Sequence, residues 1–477
     1  MHTSTTSTAL LQPWSADELA QATQGHWHLG RQPESDVSFK RILTDSRHAE
    51  SGDVFLALRG ERFDAHDFVA HVAQQGCTLA IVSRALDLDI AQLVVADTRL
   101  ALGALGAYRR DQCQNLKVIA LTGSSGKTTV KEMLGSILSQ QAPTLVTRGN
   151  LNNDLGVPMM LLELCSAHQY AVFELGASHV GEIDYTAALV RPHVAGILNI
   201  GTAHLGEFGG RDGIFTAKSE IYPHIQTNGC AIIPVADDYA AQIQAVSRDH
   251  RQLSFGQQSG QKQNAAATQG DVYADQIELF AQHAHFTLHT PQGAIQIELP
   301  FAGMHNVHNA EAAAAFALAI GIPLAQIQHG LSQAKSAKGR LNFIHKANHL
   351  FIDDTYNANP SSMRAAAEVL SQQKGLRVML LGDIGELGDA AWQEHHDLGR
   401  DLAQSEIEYI IAVGEFASAT AQGAAHSKVQ AFASQAEALD YLLKLLTTKQ
   451  PQDMSFLFKG SRFTHMETLM ADLMEKI

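Results

Sequence analysis

One stretch constrains the fold of this chain more than any other: Val118-Ile-Ala-Leu-Thr-Gly-Ser-Ser-Gly-Lys-Thr-Thr129. An apolar run of strand character enters a Gly/Ser loop. Lys127 and Thr128 then open a segment that carries Val130, Met133, Leu134, Ile137 and Leu138 at the spacing of one helix face. A strand, a glycine loop and a helix in this order form a phosphate cradle. Gly123 and Gly126 let the backbone turn N–H groups toward an anion, with Ser124 and Ser125 between them. The helix start adds partial positive charge, and Lys127 adds a full one. Thr128 is placed to offer its hydroxyl to Mg²⁺, with Thr129 in the same first turn. The general pattern GxxxxGK[ST] would put glycine where Leu121 stands, so only a shortened TGxxGKTT remains.

A phosphate loop of this kind needs an acidic residue after a second buried strand to help hold the metal. Glu174, directly after the apolar Tyr170-Ala-Val-Phe173, meets that requirement. No NKxD-type guanine-reading segment occurs, which favours ATP as the nucleotide.

Beyond this loop, apolar runs alternate with helical patterns. Tyr170–Phe173, Val194–Asn199 and Cys230–Val235 form one series, and Leu350–Ile352, Val378–Leu381, Tyr409–Val413 and Phe456–Phe458 a second. Such alternation predicts parallel sheets with helices on both faces and ligands at the carboxyl ends of the strands. Val54–Leu58 and Leu79–Val82 suggest a smaller α/β unit ahead of them, and Gln257–Gly270 reads as a surface loop. At roughly 100–200 residues per domain, 477 residues suit three domains, with boundaries expected near residues 98 and 337. With 34 Lys+Arg against 49 Asp+Glu, the formal charge of −15 argues against a general nucleic-acid binder. Cys77, Cys113, Cys165 and Cys230 show no CxxC pairing and read as free thiols of a reducing compartment. The Ser/Thr-rich start Met1–Leu10 lacks the apolar core of a signal peptide, and the longest apolar run, Ala312–Ala325, is broken by Pro323. The expectation is a cytoplasmic protein with no membrane insertion.

With the shortened loop in place, other segments fall into a pattern that resembles the ATP-dependent Mur ligases, from about Thr44 to Glu467. In the middle of the chain the matching motifs are Thr122–Thr129, Gly149-Asn-Leu-Asn-Asn-Asp-Leu-Gly-Val-Pro158, Glu174-Leu-Gly-Ala177, Ala203-His-Leu205, Ala217-Lys-Ser-Glu-Ile221 and Gly303-Met-His-Asn-Val-His-Asn309. Toward the C-terminus they are Gly339-Arg340, Asp353-Asp-Thr-Tyr-Asn-Ala-Asn-Pro360, Leu381–Gly388 and Lys459-Gly-Ser-Arg462. The Tyr356–Pro360 stretch followed by Ser361-Ser-Met363 points to the dipeptide-adding branch of the family.

The resemblance implies an α/β protein of three domains. Residues 1–97 would bind the UDP-sugar peptide, 98–336 would form a central P-loop parallel-sheet ATPase domain, and 337–477 a Rossmann-like domain for the incoming dipeptide. The implied reaction is ATP-dependent amide ligation through an acyl phosphate, joining D-alanyl-D-alanine to UDP-N-acetylmuramoyl-tripeptide in peptidoglycan synthesis, by a monomer. Thr128 and Glu174 would hold one Mg²⁺, and His204 and Lys218 would belong to a second metal site. An ammonium has no lone pair to give a cation; in the family this lysine is carbamylated, which makes it an anionic oxygen ligand. Lys127, Lys218, His204 and Arg340 would be the catalytic groups. Asn306 and Asn309 would face the adenine, while Arg340, Asp354 and Tyr356 would border the nucleotide. Ser46, Arg47, Asn150, Asn152 and Asn153 would meet the UDP-sugar side of the substrate, although Ala65 stands where the family often has glycine. Asn357, Lys459 and Arg462 would meet the dipeptide. Asn359 before Pro360 also reads as a helix N-cap. His305 and His308, three residues apart with no third ligand nearby, do not make a zinc site. Two alternatives stay open at this point: another Mur-type or folylpolyglutamate-type ligase, and a P-loop NTPase switch that forms no amide.

Overall fold

The computed structural model describes residues 11–60, 63–202, 205–257, 269–449 and 453–477. The start Met1–Leu10, His204 and most of the Gln257–Gly270 loop lie outside the described residues. The backbone divides into two compact units. One comprises Met1–Ala120, Gln141–Gly176 and Glu182–His193; the other comprises Leu121–Gln140, Ala177–Gly181 and Val194–Ile477.

The N-terminal sheet has the order His26–Trp27, Ala91–Val94, Leu79–Val82, Val54–Leu56, Ile42–Leu43. Its first pair is antiparallel and the remaining pairs are parallel. The strands Val54–Leu56 and Leu79–Val82 are buried throughout, as continuous apolar strands covered on both faces should be. One face packs with Trp14, Leu19 and Phe39 and with Ala101, Leu102 and Leu105 of the helix Thr98–Asp111. Val69 and Val72 cover the other. Asp97 starts that helix by accepting the N–H groups of Arg99 and Leu100.

A six-stranded sheet follows, in the order Arg251–Phe255, Cys230–Pro234, Val194–Ile197, Lys117–Thr122, Tyr170–Glu174, Thr144–Val146. The helix Met304–Ala319 is apolar nearly all round, and it is buried accordingly: Val307, Ala310, Ala313, Ala314, Ala315 and Phe316 have no exposed surface. A neighbouring helix, Leu324–Ser332, approaches the phosphate-loop helix Lys127–Leu138 so closely that a Cβ on Gly330 would lie 2.5 Å from Ile137 Cα. Ser136 donates its hydroxyl to the Gly330 carbonyl at 2.8 Å across this contact.

Strand–helix alternation does not reveal the antiparallel meander Tyr273–Leu279, Ala284–Thr290, Gly293–Leu299. Its strands leave part of one face exposed, with Glu278 and Glu298 outward, so they lack the continuous apolar runs of the parallel strands.

The C-terminal sheet runs Asn342–Lys346, His349–Asp354, Met454–Lys459, Leu376–Gly382, Tyr409–Val413, Val429–Phe432. Only its first pair is antiparallel, and each face has a separate core. Asp354, Gly382 and Lys459 end three adjacent parallel strands at the same edge, where such sheets bind their ligands. The molecule is thus α/β, with a mixed N-terminal sheet, a central sheet of parallel character and a mixed C-terminal sheet. No described helix is long and apolar enough to cross a membrane.

Candidate active site

The strand Lys117–Thr122 runs into the glycine loop, and Lys127 opens the helix Lys127–Leu138. Thr128 and Thr129 occupy its first turn. Gly126 caps the helix in left-handed backbone (φ 80°), and a Cβ there would overlap Asn309 Oδ1, so glycine is required on two grounds. Lys127 folds back over the loop and donates its Nζ to the Gly123 carbonyl at 2.6 Å. A residue that sequence reasoning left out, Asn199, binds the loop from the adjacent strand end. Ser124 N donates to Asn199 O at 3.1 Å and Ser125 N to Asn199 Oδ1 at 2.9 Å. The signal available in the sequence was its position, just past the strand Val194–Ile197.

Lys218 lies near the end of the helix Arg211–Ser219 and is only 3% exposed. Burial, and then the charge of Lys127, pushes its pKa well below a lysine's ordinary range. No carboxylate pairs with it among the described residues. Burial beside another cation disfavours the charged form of this amine. No group of three His, Cys, Asp or Glu forms a metal cage among the described residues. Mg²⁺ does not require one, because it keeps waters and phosphate oxygens alongside one or two protein ligands.

Asn306 and Asn309 lie on one face of the helix Met304–Ala319. Asn306 donates to the Ala302 carbonyl at 2.8 Å and accepts from Asn309 Nδ2 at 3.0 Å. Asn306 also lines a pocket of about 290 Å³ with Phe301, Ala302, Ser336, Leu341 and Phe343. That size suits a small planar group, and its walls combine apolar faces with an amide. His308 pairs with the buried Glu311 at 2.9 Å, and Glu311 also accepts the Ala274 N–H. His305 is pushed down to about 4, by burial first and then by the charges of Lys459 and His308. His308 thus links the helix to the meander through Glu311.

Arg340 stacks its guanidinium 4.5 Å over the Tyr356 ring, and its Nε is buried without a partner. The segment around it is pinned: Gly339 N donates to Asn342 Oδ1 at 2.7 Å, and Tyr356 N to the Gly339 carbonyl at 3.1 Å. Asp354 accepts the Leu341 N–H and binds Lys459 Nζ at 2.6 Å. Lys459 was expected at the dipeptide, yet it is 1% exposed and directs its ammonium to Asp354 and to the Asn357 carbonyl, 3.1 Å away. Arg462, by contrast, is exposed and pairs with Glu467 at 2.7 Å. Asn359 caps the helix Pro360–Ser371 in a reciprocal capping box with Ser362. Asn357 sits in the same loop. The neighbouring loop after Gly382 is held by two bonds: Ile384 N donates to His395 Nε2 at 3.0 Å, and Gly385 N to Ser461 Oγ at 2.8 Å.

In the other compact unit, Glu174 ends the strand Tyr170–Glu174 and is 3% exposed. It accepts Asn152 Nδ2 at 2.8 Å, while Asn152 O accepts the Gly176 N–H, also at 2.8 Å. Asn153 Oδ1 accepts the Gly156 N–H at 2.8 Å, and Asn150 is exposed. Of this motif, Asn152 is the residue joined to Glu174. Arg47 extends into solvent and pairs with Asp45 at 2.5 Å; both Ser46 and Arg47 belong to the short helical turn Ser46–His48, which Asp45 caps.

The family model described as the Mur ligase middle domain matches residues 121–317, and the one described as the Mur ligase glutamate ligase domain matches residues 339–462. A UDP-N-acetylmuramoyl-tripeptide–D-alanyl-D-alanine ligase from Escherichia coli K12 is 42% identical over 92% of the chain and 95% of its own length. A crystal structure of MurF from Acinetobacter baumannii is 68% identical, has a TM-score of 0.93, and covers 98% of the chain and 100% of its own. The MurF ligase of Thermotoga maritima in complex with ADP is 26% identical with a TM-score of 0.77, covering 91% of the chain and 97% of its own.

Proposed function

The chain belongs to the Mur ligase family, and from that premise we propose how its residues carry out the reaction. That reaction is the ATP-dependent addition of D-alanyl-D-alanine to UDP-N-acetylmuramoyl-tripeptide in peptidoglycan synthesis. ATP phosphorylates the terminal carboxylate of the tripeptide, the dipeptide amine attacks the acyl phosphate, and an amide forms as phosphate leaves. The chemical difficulty is to bring two anions together, so cations must gather at the γ-phosphate. The observation that carries the reading is a phosphate loop together with Lys218, buried at 3% exposure with no carboxylate partner among the described residues. A nucleotide switch has no use for such a lysine.

Lys127 neutralises the β- and γ-phosphates, and the amides of Gly123–Thr129 line the chain of phosphates. Thr128 and Glu174 would hold one Mg²⁺, and Lys218, once carbamylated, would with His204 hold a second. Mg²⁺ when bound supplies charge neutralisation at the transferring phosphoryl group. Asn306 and Asn309 offer both donors and acceptors to an adenine edge, and the pocket beside Asn306 supports that assignment. Arg340, with an unpartnered Nε, has donors left for phosphate oxygens. Asp354 and Tyr356 set the segment that carries Arg340. Ser46, Arg47, Asn150, Asn152 and Asn153 face the UDP-sugar peptide. Asn357 and the exposed Arg462 meet the dipeptide, and Lys459 holds the loop of Asn357 in place. The three-domain division at 98 and 337, a monomeric state and a cytoplasmic location belong to the same reading.

The deciding experiment supplies UDP-N-acetylmuramoyl-tripeptide, ATP and D-alanyl-D-alanine and follows both phosphate and the new amide. Phosphate release that requires all three, with stoichiometric pentapeptide product, is expected. Hydrolysis indifferent to the dipeptide would instead favour a nucleotide switch, and a preference for single amino acids another ligase of the family.

A further inference from the structure

The phosphate loop is held at a point that no part of the reading above assigns. Asn199 follows the strand Val194–Ile197 and makes four hydrogen bonds to two consecutive loop residues. Its main-chain oxygen accepts Ser124 N at 3.1 Å. Its side-chain oxygen accepts Ser125 N at 2.9 Å and Ser125 Oγ at 3.3 Å, and its Nδ2 donates to Ser125 O at 3.2 Å. One side-chain amide therefore holds the N–H and the carbonyl of Ser125, and so fixes the two peptide groups that flank this residue. The peptides that follow it open the helix at Lys127, where first-turn N–H groups have no intrahelical acceptor and are the ones an anion uses.

The residues beside Asn199 are fixed as well. Leu198 N donates to the Thr122 carbonyl at 2.8 Å, and Gly201 N to Ser124 Oγ at 2.9 Å. Between them, Ile200 is clamped from both sides. Its N–H reaches Asp237 Oδ2 at 2.8 Å, and its carbonyl accepts from Arg211, also at 2.8 Å. A Cβ on Gly123 would lie 2.9 Å from Leu198 Cβ, so the two segments are also in van der Waals contact. Asn199 thus sits on a rigid support and transmits that rigidity to the loop.

We propose that Asn199 is a positioning residue for ATP: it presets the Ser124–Ser125 turn so that the following amides face the phosphates. The proposal rests on the ligase reading, and the two fail differently. Asn199→Ala removes the side-chain grip and keeps the main-chain bond. Loss of the three side-chain hydrogen bonds predicts about a tenfold rise in the KM for ATP and in the Kd for ADP, with the KM for D-alanyl-D-alanine unchanged. Asn199→Asp keeps the acceptor for Ser125 N but places a carboxylate against the Ser125 carbonyl and near the phosphates, so its loss of ADP affinity is expected to exceed that of alanine. A merely structural role would lower kcat or thermal stability and leave both nucleotide constants where they were; that outcome overturns the proposal. Hydrogen exchange on the unaltered protein provides a route that does not depend on variants folding. Added ADP should protect Leu198–Thr202 together with Thr122–Thr128, and protection confined to the latter would overturn the coupling. Unaltered protein that fails to bind ADP would break the ligase reading instead.

Discussion

Two regions of the second unit each bury a lysine almost completely and give it opposite surroundings. Lys459, at the end of a C-terminal strand, is 1% exposed and binds Asp354 at 2.6 Å. Lys218, on the helix Arg211–Ser219, is 3% exposed and has Lys127 as its charged neighbour. Burial lowers both pKa values, but at Lys459 the Asp354 carboxylate opposes the shift, whereas at Lys218 the second cation adds to it. An ion pair that satisfies its own charge is a scaffold. An amine denied both water and a counter-charge has its charged form disfavoured, which suits the carbamate proposed for Lys218. The contrast separates a lysine that shapes the dipeptide loop from one that chemistry uses.

The largest expected effect falls on the unpaired lysine. Lys218→Ala should lower turnover on the order of 10³-fold, as loss of a group that stabilises transition-state charge does, while ADP binding and thermal stability stay near those of the unaltered protein. Added short-chain carboxylic acids should restore part of the rate by supplying the missing carboxylate. Lys218→Arg, which cannot form the carbamate, should remain inactive. Steady-state phosphate release with and without the acids measures this. Turnover preserved in either variant would break the distinction between the two lysines.

The elements that carry the two lysines were legible in the sequence, but the pairing that separates them was not, and the difference has a physical cause. The phosphate loop is a local object: strand, glycines and helix face occupy one short stretch, so spacing alone defined it. The parallel strands were readable because their residues are apolar on both faces, as in Tyr170–Phe173 and Phe456–Phe458. The meander Tyr273–Leu299 was not, because half-exposed strands carry polar residues such as Gln276, Glu278 and Glu298 that blur the pattern. At the site, residue type indicated chemistry but not pairing. Lys459 and Arg462 look alike as two basic residues after a strand. Only the fold brings Asp354, 105 positions away, against the first and leaves the second in solvent. Asn199 was missed for the same reason, since its bonds reach 74 positions back to Ser125.

The paired lysine predicts a thermodynamic effect rather than a kinetic one. Lys459→Met leaves the Asp354 carboxylate buried without its counter-charge and should cost about 3–5 kcal/mol in stability by urea denaturation. Asp354→Leu added to Lys459→Met should recover a large part of that loss, because removing both charges removes the uncompensated one. A single Lys459→Met variant as stable as the unaltered protein would show that the pair is not a scaffold.

The smallest effect tests whether the loop beside Lys459 is a scaffold in its local geometry as well. Asn359 caps the helix Pro360–Ser371 by accepting Ser362 N at 2.8 Å, and Ser362 Oγ accepts the Asn359 N–H at 3.0 Å in return. Asn359→Ala removes the side-chain half of this box and should cost about 1 kcal/mol. Asn359→Asp, an equally good cap with its carboxylate at a helix N-terminus, should cost little or nothing. Because the Lys459 bond to the Asn357 carbonyl persists in both variants, the KM for D-alanyl-D-alanine should stay within about twofold, less than one lost hydrogen bond would cause. A large rise in that KM with stability unchanged would mean that Asn359 itself meets the dipeptide, and the loop would then belong with Lys218 among the reacting groups rather than with Lys459.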